Sequence, residues 1–245
     1  MSQPDARLLS EAGAATEFMR LMIDPVYFGV GVPRGDGRHV LVLPGLFGND
    51  FYLQPLRTWL TRIGYRPVRS TLAVNAGCSE RLSRQIEGEL ERRAGLQAPV
   101  SIIGHSRGGI LGWAIAARLG SRVSSLILLG SPAPALATAM KHGYSTGQIA
   151  AGVPATLTDS ALRARQILDP DCDFPSCACP FTTALAMPLS AATKVTAIVS
   201  PDDPIVPAAI ARAPGATNIE VRGTHSGLAA NAAAYRAMGA ALAGR

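Results

Sequence analysis

Apolar residues in this chain gather in short, nearly uninterrupted runs: His39-Val40-Leu41-Val42-Leu43, a stretch near 66–72, Val100 to Gly104, Val123 to Leu129, Lys194 to Ser200, and the shorter Asn218-Ile219-Glu220-Val221-Arg222. Runs this continuous fit strands covered on both faces, where neither side meets water and no alternation is needed. Between them apolar residues fall at helical spacing, at about 51–63, 79–94, 107–119 and from Leu228 to Leu242, and a further helical pattern spans Ala6 to Met22. Strand and helix in alternation predict an α/β protein with a mostly parallel sheet and helices on both faces. In open sheets of this kind, sites form beyond the carboxyl ends of the strands.

The third run ends in Gly104-His105-Ser106-Arg107-Gly108-Gly109, where a buried strand gives way to an amphipathic helix. A serine on so sharp a turn has a strained backbone and needs glycines where a Cβ would strike the neighbouring strand and helix. The strain leaves its hydroxyl exposed above the sheet. Gly-x-Ser-x-Gly is a weak motif alone, and Ser106 could simply cap the helix. As a nucleophile it needs a base, and the base needs an orienting carboxylate.

Both follow downstream. The run 194–200 ends in Pro201-Asp202-Asp203-Pro204-Ile205-Val206, which puts an acid at a strand's C-terminal edge, and the run 218–222 leads into Gly223-Thr224-His225-Ser226-Gly227, which puts a histidine at the same edge. The order Ser106, Asp203, His225 is that of α/β-hydrolases and differs from the chymotrypsin and subtilisin orders. The other histidines fit the base's role poorly: His39 opens a strand, His105 lies inside the serine turn, and His142 lies in the connection after the fourth strand. Asp202 competes with Asp203 for the acid's place.

On these motifs the chain resembles α/β-hydrolases of the lipase/esterase type, from about Val40 to Tyr235. A third motif carries the resemblance: the first strand runs into Pro44-Gly45-Leu46-Phe47-Gly48-Asn49-Asp50, similar to the His-Gly oxyanion loop of lipases with proline in place of histidine. The resemblance implies that the backbone N–H groups of Leu46 and Arg107 hold the oxyanion. It favours Asp203 over Asp202, because in these hydrolases the acid is commonly followed by one residue and then an aliphatic pair. It implies a single α/β-hydrolase domain over 1–245, with a lid or cap inserted at about 131–190, where the strand–helix alternation breaks.

The expected insertion holds apolar helical patches at Ala135 to Met140, Ile149 to Ala155 and Ala161 to Leu168, which read equally as an acyl-site cover or as ordinary packing. Three of the four cysteines, Cys172, Cys177 and Cys179, crowd into it, with Cys78 far off. Their spacing lacks the paired Cys-x-x-Cys knuckles of a structural zinc site, so no metal is expected. A disulfide from Cys172 to Cys177 or Cys179 is favoured over a metal, and reduced thiols are the third reading.

With 245 residues and 48% hydrophobic content, the chain can bury one sizeable core. A net charge of +6 invites nucleic acid or an anionic membrane as partner, but the arginines are scattered and aromatics amount to only 5%. No uncharged apolar run is long enough to span a bilayer. The first residues lack the basic and apolar regions of a secretory signal, so a cytoplasmic protein is the default expectation, although a secreted mature form would read the same way. The whole reading is a serine hydrolase that cleaves small-molecule or lipid carboxylic esters without a cofactor. An acyltransferase or thioesterase using the same triad is the alternative, and a non-catalytic hydrolase-fold binding protein stands further off.

Overall fold

Four of the six apolar runs become strands largely buried on both faces. The computed structural model describes residues 13–94, 98–142, 163–164, 166–172 and 179–244. Among them, β1 (His39–Leu43), β2 (Arg66–Val68), β3 (Val100–His105), β4 (Val123–Leu129), β5 (Lys194–Val199) and β6 (Thr217–Glu220) form one parallel sheet in the order β2-β1-β3-β4-β5-β6. The helices between them are α1 (Gly13–Ile23), α2 (Gln54–Arg62), α3 (Ser79–Ala94), α4 (Arg107–Leu119), α5 (Ala133–His142), α6 (Pro180–Ala186), the single turn α7 (Ala208–Ala211) and α8 (Ala232–Leu242). No described helix is long and apolar enough to cross a membrane.

Alternate side chains of the central strands feed two main cores, and Ala197 and Val199 of β5 enter a third, smaller one. Val40, Val42, Ile103, Ile127 and Ile198 pack with Trp59 of α2 and Tyr235 and Met238 of α8 on one face. Leu41, Leu43, Ile102, Leu126 and Leu128 pack with α3 and α4 on the other. α5 and α6, the described ends of the expected insertion, place Ala133, Leu136, Phe181 and Leu185 in this second core. These ends are therefore body rather than cover. The patch at Ile149 to Ala155 lies outside the described residues.

The strand order positions the site. From β1 the chain steps outward to β2, then crosses back over β1 to β3 and continues away. Connections thus leave in opposite directions between β1 and β3, and a crevice opens at the carboxyl ends of the strands at such a switch point. The Pro44 loop leaves β1 there and Ser106 leaves β3 there, with Leu43 paired to Gly104 at the end of the ladder.

β2 is shorter than its apolar pattern predicts, and Asp50 explains why. Its carboxylate accepts the Ser70 N–H and hydroxyl, both at 3.0 Å, and the Thr71 N–H at 2.9 Å. The chain is drawn out of the ladder at that point and Thr71 takes a φ of 58°. The same carboxylate lies 3.4 Å from the guanidinium of the buried Arg57. Asp50→Ala removes three acceptor contacts and leaves a buried cation without its counter-ion, so unfolding free energy should fall by about 2–3 kcal/mol. A lower urea midpoint at unchanged slope is the expected result; an unmoved midpoint would show that this loop does not contribute.

Candidate active site

Ser106 stands at φ 53°, ψ −123°, between β3 and the first residue of α4. A non-glycine residue there costs about 1–3 kcal/mol, which the surrounding packing has to overcome. That packing needs glycines. A Cβ on Gly104 would meet the Gly109 Cα at 2.5 Å, and one on Gly108 would meet the Leu43 carbonyl oxygen at 2.4 Å. The turn is tied down by Ser106 N–H donating to Leu129 O and Gly109 N–H to Ser106 O, both at 2.9 Å.

The loop after β1 touches this turn: a Cβ on Gly45 would come within 3.3 Å of the Ser106 Cβ. Phe47, at φ 59°, donates its N–H to Asn75 O at 3.0 Å, and Gly48 donates to Gly45 O at 3.0 Å. With those two N–H groups engaged, Leu46 and Arg107, the expected oxyanion donors, lie in the two segments that meet here. Asn75, which is fully buried, fixes the loop further by donating its N–H to Gly48 O at 2.8 Å and its side-chain amide to Pro44 O at 2.7 Å.

Of the two adjacent acids, Asp203 faces the histidine. His225 Nδ1 lies 2.7 Å from Asp203 Oδ2, with both side chains buried. A carboxylate only accepts, so Nδ1 carries the proton and Nε2 is left as the basic nitrogen. Asp203 Oδ1 is occupied by the Ile205 and Val206 N–H groups, each at 2.8 Å, which fixes the plane of the carboxylate. Asp202 instead points to solvent and pairs with the exposed Arg222. Gly130, at the end of β4, keeps clear of this pair, since a Cβ there would lie 3.0 Å from Asp203 Oδ2 and 3.3 Å from His225 Nδ1.

Three distant side chains hold the histidine loop. His105 Nε2 donates to His225 O at 2.9 Å, its ring 4.9 Å from the His225 ring, which sets the candidate base beside the serine turn. Tyr52 O–H donates to Ser226 O at 3.1 Å. Glu17 of α1 accepts the Thr224 N–H at 2.7 Å and the Asn231 amide at 3.0 Å, and Gly223 and Gly227 leave room for its carboxylate. Asn75, Tyr52 and Glu17 escape the sequence reading because they sit in no motif; only the Asn75-Ala76-Gly77 turn hints at one of them. His39 at the start of β1 and His142 at the end of α5 lie away from this cluster by their place in the fold.

The expected disulfide from Cys172 to Cys179 is not formed, and Cys177 lies outside the described residues. Asp169 accounts for this: its carboxylate binds Cys78 N–H and Arg81, so the turn that carries Cys172 docks on the start of α3. Among the described residues no cluster of side chains is suited to a metal ion.

Burial pulls the His105 pKa down to about 3, and the neighbouring His225 adds to the fall. The unfolded chain then binds a proton below about pH 6.5 that the folded chain refuses, so this group's stability contribution is complete above that pH and lost toward pH 3. His105→Gln keeps a donor to His225 O without titrating. It should remove up to about 1.4 kcal/mol per pH unit from the acid slope of stability between those limits. Parallel urea titrations from pH 7 to pH 4 test this, and equal slopes in the two proteins would refute it.

A sequence model described as "alpha/beta hydrolase fold" matches residues 63–169, a span that includes Ser106 and stops before Asp203 and His225. No curated protein matches the chain in sequence. Among solved structures, a metagenomic carboxyl esterase superposes with a TM-score of 0.56 at 13% identity, over 86% of this chain and 76% of the other. The enol-lactonase of Burkholderia xenovorans gives 0.52 at 15% identity, over 86% and 93%. The thioesterase domain from the curacin biosynthetic pathway gives 0.52 at 15%, over 85% and 92%. Sequence match and three-dimensional likeness agree with the sheet order and the serine turn: the chain has the α/β-hydrolase fold.

Proposed function

We propose that this chain is a serine hydrolase that cleaves carboxylic esters through an acyl-enzyme on Ser106. The observation that carries the proposal is the buried 2.7 Å pair of Asp203 and His225, at the same sheet edge as a serine held at positive φ. His225 Nε2 takes the Ser106 proton as the hydroxyl oxygen attacks the ester carbonyl. Asp203 holds the tautomer and stabilises the imidazolium, while the Leu46 and Arg107 N–H groups receive the oxyanion. The imidazolium then protonates the departing alkoxide, and water activated by the same base releases the acid. The exposed side chains of Phe47 and Phe51, on and just beyond the oxyanion loop, favour an ester with an apolar acyl or alcohol part.

Initial rates on p-nitrophenyl esters from acetate to palmitate, with an acyl thioester alongside, test the reading. Ser106→Ala should lower kcat by at least about a thousandfold, and Asp203→Asn by about ten-thousandfold through the wrong imidazole tautomer. A fluorophosphonate should label Ser106 in the wild type alone. Faster thioester turnover would move the assignment to thioesterase; no turnover and no labelling would end the hydrolase reading. Glu17→Ala, which frees the histidine loop from α1, should lower kcat by about tenfold with KM little changed, because a small misplacement of the base is felt mainly in the chemical step.

A further inference from the structure

The two candidate oxyanion donors come from different strands, Leu46 from the loop after β1 and Arg107 from the turn after β3. A third segment, Asn75 to Ser79, grips both. Asn75 O accepts the Phe47 N–H at 3.0 Å, while Asn75 donates its own N–H to Gly48 O at 2.8 Å and its side-chain amide to Pro44 O at 2.7 Å. Further along the same segment, Gly77 O and Ser79 Oγ accept from Nη2 of the Arg107 guanidinium, at 2.7 Å and 3.1 Å. Between the two grips lies Gly77 at φ 98°, a conformation that other residues rarely adopt, and Asn75 and Ser79 are buried. A Cβ on Gly108 would lie 2.5 Å from Pro44 O, so packing limits how near the loop and the turn can come. The hydrogen bonds through Asn75–Ser79 limit how far they can part.

Filling space here does not require a cation. Burial pulls the Arg107 pKa down to about 10, and its buried Nε has no hydrogen-bond partner among the described residues. Arg57 and Arg118, also withdrawn from solvent, pair with carboxylates, whereas Arg107 makes no ion pair among the described residues. A buried charge without a counter-ion costs stability, and an apolar side chain of similar volume often serves a fold as well. What an apolar side chain cannot do is donate to Gly77 O and Ser79 Oγ.

We infer that Arg107 is a positioning residue for the oxyanion: its side chain ties the serine turn to the Asn75–Ser79 segment, which holds the Pro44–Gly48 loop, and so sets the separation of the Leu46 and Arg107 N–H groups. The inference rests on the hydrolytic reading of Ser106. In the transition state the carbonyl oxygen gains charge, and both N–H groups must already stand where that charge develops. A donor free to drift weakens this state more than it weakens the bound ester. Loosening the tie therefore lowers kcat and leaves KM little changed.

Arg107→Met and Arg107→Lys both keep the main-chain N–H, and the lysine also keeps a terminal donor. In the full-length protein, Arg107→Met should lower kcat on p-nitrophenyl esters by about tenfold at similar KM, and Arg107→Lys should recover most of the loss. Affinity for a trifluoromethyl ketone, which places an oxyanion on Ser106 without a leaving group, should fall by the same factor in Arg107→Met. The Phe47 and Asn75 amides should exchange with deuterium faster in that variant while its urea midpoint holds. Unchanged kcat, or exchange at Phe47 and Asn75 equal to that of the wild type, would overturn the inference. So would an activity loss that follows a lowered urea midpoint equally in both variants, since Arg107 would then serve the fold alone. A wild type that neither turns over esters nor binds the ketone would end the hydrolytic reading and the oxyanion role together, whatever the exchange rates.

Discussion

The backbone of Ser106 cannot be where it is unless α4 is pressed into the ends of β1 and β3, and much of the architecture serves that one contact. A Cβ on Gly104 or Gly108 would intrude on backbone at 2.5 Å or less, so the helix start and the two strands touch through main chain alone. Such an approach needs rigid partners. Parallel strands covered on both faces provide them, because a strand end can shift only if the helices on both sides repack. The local cost of the positive φ is therefore spread over two cores, and the serine is presented at the crevice that the strand order opens.

Presentation of the histidine follows a different logic. His225 leaves a short edge strand and sits in a loop, where backbone conformation alone would leave it mobile. Its place is set from outside, by Glu17 on Thr224, His105 on the His225 carbonyl and Tyr52 on Ser226. The serine is held by strain in a rigid turn, and the candidate base by hydrogen bonds from three remote segments. Perturbing the first should cost folding, whereas perturbing the second should cost alignment.

That division also decides what was legible in the sequence. Continuous apolar runs reported β1, β3, β4 and β5 because burial on both faces leaves a compositional trace, and the glycines around Ser106 reported the turn because only glycine fits there. The candidate acid and base could be placed at one edge because a parallel sheet puts every strand's carboxyl end on the same side. What pattern could not supply were contacts without a period: Asn75 pinning the Pro44 loop, Glu17 reaching the histidine loop across most of the chain, and Asp50 cutting β2 short. The cysteines illustrate the same limit. Spacing suggested partners within the crowded cluster, yet Asp169, through one carboxylate with three donors, holds the turn that carries Cys172 on the start of α3 instead.

The choice between Asp202 and Asp203 turns on burial. Two adjacent acids after one strand face opposite ways, so only one can be buried with the histidine while the other takes a solvent-exposed partner. A buried carboxylate is tolerated only if its lone pairs are used. Asp203 meets this with two N–H groups on Oδ1 and the imidazole on Oδ2. Pro204 helps by leaving those two N–H groups as the first available donors after the acid. A second cation next to this pair would compete with His225 for the carboxylate's field and oppose formation of imidazolium. His105 avoids this by staying neutral: sealed from water and donating only to a carbonyl, it has no reason to take up a second proton. The neighbour that aligns the candidate base is thus a histidine whose burial keeps it from acting as one.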